Sequence, residues 1–176
     1  MVWRERVIET PFAADERGML LAYLQRQRDL VVWKVEELGD QDADRVATPS
    51  GLTIRGLLYH LRDVERSWLR RWFAGEHGLP VEGVDAGQVA STDAPEGVRL
   101  ADLVVAYSAE TRRCDQVIAA HALDDVETEG PRTLRWILHH LIEETARHLG
   151  HLDLLCELAD GRAGEEPSPL GPSAER

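Results

Sequence analysis

Apolar residues recur along this chain at spacings of three and four. From Asp15, a plausible cap, Leu20, Leu21, Leu24, Val31, Val32, Val35 and Leu38 mark one face of an amphipathic helix that stops at Gly39. The polar stretch 41–51 holds Pro49 and Gly51 and predicts a loop. A second helix is predicted from about Thr53 to Phe73, with Ile54, Leu57, Leu58, Leu61, Val64, Trp68 and Trp72 on its apolar side and Gly75 as its end. Residues 75–98 are rich in Gly, Pro, Asp and Ser, a long connection for neighbouring helices. A third helix is expected over about 100–122. A turn with Asp124, Asp125, Gly130 and Pro131 follows, then a fourth helix over 132–160 that Gly161 ends. Residues 1–13 show no period and read as an extended arm. The tail 163–176 has little to bury and is expected to be disordered.

No stretch alternates as a strand would, and no internal repeat is evident. Four long amphipathic helices around one core predict an all-α four-helix bundle, a single domain spanning 1–162. A long crossover between the second and third helices would let those two run parallel.

Composition narrows the function classes. With 176 residues the chain can bury a core without staples. Its net charge of −12 argues against a nucleic-acid or anionic-membrane surface. No membrane span or signal peptide is evident, so a cytoplasmic location is expected. Lys34 is the single lysine among 20 basic residues, an arginine bias that fits a GC-rich genome. Cys114 and Cys156 lie in separate predicted helices and read as core thiols.

Candidate chemistry concentrates in the fourth helix. His140, Glu144, His148 and His151 form a polar stripe beside the apolar stripe of Leu141, Thr145, Leu149, Leu152 and Cys156. Glu144 and His148 are four apart, a chelating spacing on one helix face. A third ligand must come from another helix, and His60, at the flank of the second helix's apolar stripe, is the candidate. A hydrogen-bonded surface pair and a satisfied buried histidine explain the same spacings. Glu65 falls on the apolar side of the second helix and needs a partner. The simpler reading is a buried ion pair with an arginine such as Arg147; the other is an acceptor that orients a ligand histidine. Trp33, Trp68, Trp72 and Trp136 read as packing residues. His77 and His121 lie near helix ends and read as solvated, and the adjacent His139 and His140 point in different directions.

Several segments, in order, resemble the DinB-like superfamily. SGLTIRGLLYHLRDVERSWLRRWFAGE is similar to its second helix, TLRWILHHLIEETARHLGHLDLLCELADG to its last core helix, and YLQRQRDLVVWKVEEL to the first helix of an actinobacterial subgroup. The resemblance spans residues 12–162. It implies a bundle with a long crossover between helices 2 and 3, and a metal triad of His60, Glu144 and His148. Many members carry His where this chain has Glu144; the Glu form resembles the site of mycothiol-dependent maleylpyruvate isomerase.

That donor set suits a divalent ion, zinc first, with nickel or iron(II) as alternatives. Three protein ligands leave a position open for chemistry. The resemblance implies a thiol S-transferase that joins mycothiol to an electrophile, in a homodimer, with a small-molecule thiol and electrophile as partners. A hydrolase is the alternative, with His151 or His140 as general base. His151 is the candidate catalytic residue. A metal-binding, stress-linked bundle without catalysis is the third possibility.

Overall fold

The computed structural model describes residues 9–46, 48–79, 94 and 97–163. Three helices begin on side-chain caps, each satisfying an N–H that the first turn leaves unpaired. Asp15 Oδ1 accepts from Gly18 N at 2.7 Å and opens α1 (Glu16–Val35). After the single turn α2 (Asp40–Ala43), Thr53 accepts from Gly56 N at 3.0 Å and opens α3 (Ile54–Glu65). α4 (Leu100–Ala119) receives its cap from a distance: Leu100 N donates to Asp40 Oδ1 at 2.7 Å. Thr133 accepts from Trp136 N at 3.2 Å and opens α5 (Leu134–Asp160), which ends at Gly161 with φ +80°.

Two local expectations change. α1 ends at Val35 rather than Gly39, and α2 forms inside the expected 41–51 loop. The cause is Arg55, a buried arginine at the start of α3. Its guanidinium takes Asp44 at 2.5 Å and Asp40 at 2.9 Å, which pins that segment while Ala43 packs into the core. The second helix does continue to Phe73, but residues Arg66–Phe73 are wound as a π-helix. The winding changes where Ser67 Oγ donates to the Asp63 carbonyl at 2.6 Å and Cys114 Sγ to the Glu65 carbonyl at 3.5 Å. Among the described residues there is no strand, only one antiparallel bridge, Val126–Thr133. Residues 1–8 of the N-terminal arm, most of the crossover, and residues 164–176 of the tail lie outside the described residues.

The helices pack as a ring in the order α1, α5, α3, α4, with α1 opposite α3. Two apolar clusters fix the directions. One joins Leu30, Val31 and Val35 of α1, Leu57 and Leu58 of α3, Leu103 of α4, and Leu152 and Leu155 of α5. The other joins Leu20 and Leu24, Val64 and Leu69, Cys114 and Ile118, and Leu134, Ile137 and Leu138. α3 and α4 therefore run from the first cluster to the second, while α1 and α5 run back. The sequential helices α3 and α4 are parallel, as the long connection allows.

A polar layer separates the clusters. Arg28 of α1 makes a bidentate pair with Glu65 of α3 across the core, at 2.6 and 2.7 Å, and its third nitrogen reaches Asp115 of α4 at 2.7 Å. Glu65 is thus the buried ion-pair member expected, but its partner is Arg28; Arg147 is exposed and pairs with Glu143 at 2.7 Å. Glu110 of α4, fully buried, accepts from both Arg66 and Arg70 at 2.7–3.1 Å. Burial works against the charge of Glu110, but the two guanidiniums hold its carboxyl below the usual carboxylate range.

Removing one member of a buried pair strands the other in the core. Glu65→Ala is expected to lower unfolding free energy by about 3–5 kcal/mol in urea titrations. The double change Arg28→Met with Glu65→Leu is expected to recover most of that loss, because neither charge is then stranded.

Candidate metal centre

The seam between α3 and α5 is built from two antiparallel ladders. Along α3 run His60, Val64, Trp68 and Trp72; along α5 run Arg132 just before its start, then Trp136, His140, Glu144 and His148. Each member lies four residues from the next, so neighbouring members stand one above the other. α5 is a regular α-helix through this stretch, so its row winds about 40° around the helix at each step. α3 holds its ladder by its change of winding. An α-helix turns 100° per residue and would carry Trp72 about 120° around from His60. A helix closed by i→i+5 bonds turns only about 82° per residue, so the π segment returns Trp72 to within about 15° of His60.

At one end of the seam, three predicted ligands meet. Glu144 Oε1 lies 3.0 Å from His148 Nε2 and 3.3 Å from His60 Nε2. All three donor atoms fall within 4.8 Å of one another. Donors bound to one tetrahedral zinc at about 2.0–2.2 Å sit about 3.3–3.6 Å apart, close to the spacings from Glu144 to the two imidazoles. The donor types, two imidazoles and a carboxylate, fit the same ion. His60 approaches from the core, with 4% of its side chain exposed, whereas Glu144 and His148 keep 20% and 16%. Access to the cluster is from the α5 side.

Electrostatics keep the ligands in binding form. Burial alone would push the Glu144 carboxyl up; the hydrogen bond from His60 and the charge and hydrogen bond of His148 outweigh it and hold the group below its usual range. Burial, then the charge of His60, pushes the His148 imidazole below its ordinary value, and Glu144 only partly offsets this. A carboxylate and a neutral imidazole are the forms a metal requires.

The other histidines fall into place around this cluster. His151 is exposed and sits behind His148, Nδ1 to Nδ1 at 3.3 Å, on the side of that ring away from the converging Nε2. His140 stacks on Trp136 with ring centroids 5.3 Å apart and meets the edge of Trp68 at 4.5 Å. His121, expected to be solvated, is partly buried: it donates from Nδ1 to the Val117 carbonyl at 2.8 Å and packs on Phe73. His139 is exposed and bonds the Arg135 carbonyl, and His77 faces Glu129 at 3.5 Å.

Both cysteines are free and buried. Burial pushes the Cys114 thiol well up and Cys156 up to about 11, so neither is a nucleophile at neutral pH. The tryptophans of the seam were read from sequence as packing. In the structure Trp68 does pack on the core, and Trp68, Trp72, Trp136 and His140 contact one another as one aromatic cluster. The signal that could have found it is the unbroken i,i+4 series from Arg132 to His148.

A four-helix bundle whose seam gathers two imidazoles and one carboxylate is the arrangement that the DinB-like resemblance implies. The chain belongs to the mycothiol-S-transferase family, whose model matches residues 19–161. No curated protein matches it. No helix among the described residues is long and apolar enough to cross a membrane.

The depressed pKa of His148 has a signed consequence. Below the ordinary imidazole value of 6.5 the unfolded chain takes up a proton that folded His148 still refuses. The metal-free protein is therefore expected to lose stability as pH falls from 6.5 toward the lower folded value. Glu144 adds a further loss as pH falls below 4.5 through its own lowered value. Urea midpoints between pH 7.5 and 5.5 should fall more steeply for wild type than for His148→Gln.

Proposed function

We propose that this chain is a metal-dependent S-transferase that joins mycothiol to a carbon electrophile. The observation that carries the reading is the convergence of His60, Glu144 and His148, accessible from one side, in a chain of the mycothiol-S-transferase family. The burial of Cys114 and Cys156 supports it further, because the sulfur nucleophile must then come from a cosubstrate. A divalent ion, zinc first, supplies a Lewis acid that lowers the pKa of a thiol, so that thiolate exists at neutral pH.

The chain's own groups have distinct parts in this reading. The two imidazole Nε2 atoms and one Glu144 oxygen hold the ion. Glu144 offsets one of its two charges, which leaves the site able to attract a thiolate without binding it too tightly to react. His151 accepts from His148 Nδ1 and thereby fixes the ring with Nε2 toward the site. That position behind the ligand ring favours His151 as a positioning residue over the general base of a hydrolase. In the transfer the sulfur forms a bond to the electrophilic carbon, the leaving group departs with the bonding pair, and the thiol proton passes to solvent. The partners are accordingly a small-molecule thiol and an electrophile, and the working compartment is the reducing cytoplasm.

Purified protein is expected to bind about one equivalent of zinc, and His148→Ala to weaken that binding by more than 100-fold, since a first ligand is lost. Elemental analysis and competition with a chromophoric chelator measure both. Mass spectrometry should detect the mycothiol conjugate only with metal-loaded protein. Unchanged metal in His148→Ala would refute the ligand set. No conjugate with mycothiol, bacillithiol or glutathione across a panel of electrophiles would refute the activity.

A further inference from the structure

We infer that the aromatic half of the α3–α5 seam is a binding platform for an electron-poor, uncharged aryl electrophile, with Trp136 as its open face. The inference rests on the S-transferase reading and adds where the second substrate lies and what chemistry it has.

The geometry comes from the two ladders. On α5, His140 lies one turn back from Glu144 and Trp136 two turns back, turned about 40° and about 80° around the helix. At 1.5 Å rise per residue, these lie about 6 and about 12 Å along the axis from Glu144. An aryl ring laid along Trp136 and His140 thus brings its near edge to within about one helical turn of the ligand cluster. The path between is partly open, since Glu144, His140 and Trp136 all retain exposure.

The cluster is also braced for such a role. Trp68 is the centre: Trp72 meets it edge-on at 4.6 Å, Trp136 tilts against it at 5.5 Å, and His140 meets it at 4.5 Å. Arg132 lies over the rings of Trp68 and Trp72 at 4.9 and 5.5 Å. It is held there by Glu127, a buried carboxylate, at 2.6 Å. Trp136 differs from the rest. Its ring is supported by the stacked His140, 12° from parallel, yet 47% of the residue is exposed. Trp68 and Trp72 are locked by neighbours, whereas Trp136 is a rigid, supported indole with surface to spare.

The class of ligand follows from charge and ring electronics. Arg132 is neutralised by Glu127, so the platform carries no free charge that would select an ionic group. Indoles are electron-rich on their faces and stack best with rings of the opposite quadrupole. An aryl carbon that a thiol can attack is electron-poor by necessity, so the same property that makes the substrate reactive makes it stack here.

The test uses the full-length, zinc-loaded protein, Trp136→Ala and Trp136→Phe. The exposure of Trp136 keeps these changes out of the core. In the binding arm, nitrobenzene is titrated while the indole N–H signals of Trp68 and Trp72 are followed by NMR. Saturable shifts are expected in wild type, with apparent Kd raised at least tenfold in Trp136→Ala and largely restored in Trp136→Phe. In the kinetic arm, KM for a chloronitroarene should rise at least tenfold in Trp136→Ala with kcat within twofold, while both parameters for iodoacetamide stay unchanged. Normal turnover of both electrophiles by Trp136→Ala would overturn the platform and leave the transferase reading intact. Absence of turnover with every electrophile would sink the transferase reading instead. The NMR arm then decides the platform alone: non-saturable or unaltered shifts overturn it, and saturable binding lost in Trp136→Ala upholds it.

Discussion

The ion pair between Arg28 and Glu65 sets the geometry that the rest of the molecule follows. It joins helices that stand opposite each other in the ring, so it passes through the middle of the core. Two charges buried this deeply tolerate little displacement, because each oxygen and nitrogen must keep its partner. The pair therefore fixes the rotation of α3 about its own axis. Glu65 is five residues, about 140°, beyond His60 on that helix. With Glu65 turned to α1, His60 is carried around to α5. The candidate ligand histidine is aimed by a salt bridge it does not belong to.

The change in winding after Glu65 extends the same logic along the seam. An uninterrupted α-helix would rotate Trp72 away from the line of His60. The π segment takes up that drift and keeps His60, Trp68 and Trp72 facing α5. The widened turns also let Arg66 and Arg70 close on one buried carboxylate, Glu110, which ties the segment to α4. Irregular winding is costly in a plain helix and persists where neighbours make up its hydrogen bonds. Here Ser67 and Cys114 do so, at the Asp63 and Glu65 carbonyls. The seam thus has two halves on one pair of ladders, polar donors at one end and braced aromatics at the other.

The chemistry of the site depends on what is withheld as much as on what is presented. Both thiols of the chain are buried and deactivated, so a sulfur reaction must import its sulfur. The acid–base groups nearest the cluster are either ligands or sit behind ligands. What remains is a binding arrangement: two imidazoles and one carboxylate with their donor atoms close together. In the transferase reading proposed above, such a site would accelerate the reaction by raising the fraction of reactive nucleophile and by holding two substrates in line.

The sequence by itself determined the features that depend on near neighbours in the chain. Helix faces are legible from periodicity because burial acts on each helix separately, and the cap at Asp15 is legible because capping is a matter of three residues. The i,i+4 pair Glu144 and His148 belongs to the same class. His60 is named as third donor from its place at the flank of its helix's apolar stripe, and the family resemblance adds weight to that choice over a satisfied buried histidine. The tertiary structure alone decided three things. It chose Arg28 over Arg147 as the partner of Glu65, a choice among chemically equal arginines that only the position of α1 across the core can make. It made α2 from an apparent loop, because a buried Arg55 needed two carboxylates. And it turned four residues read as packing and edge positions into one aromatic surface, because the π winding that aligns them answers to contacts from α4 that no local pattern in α3 records.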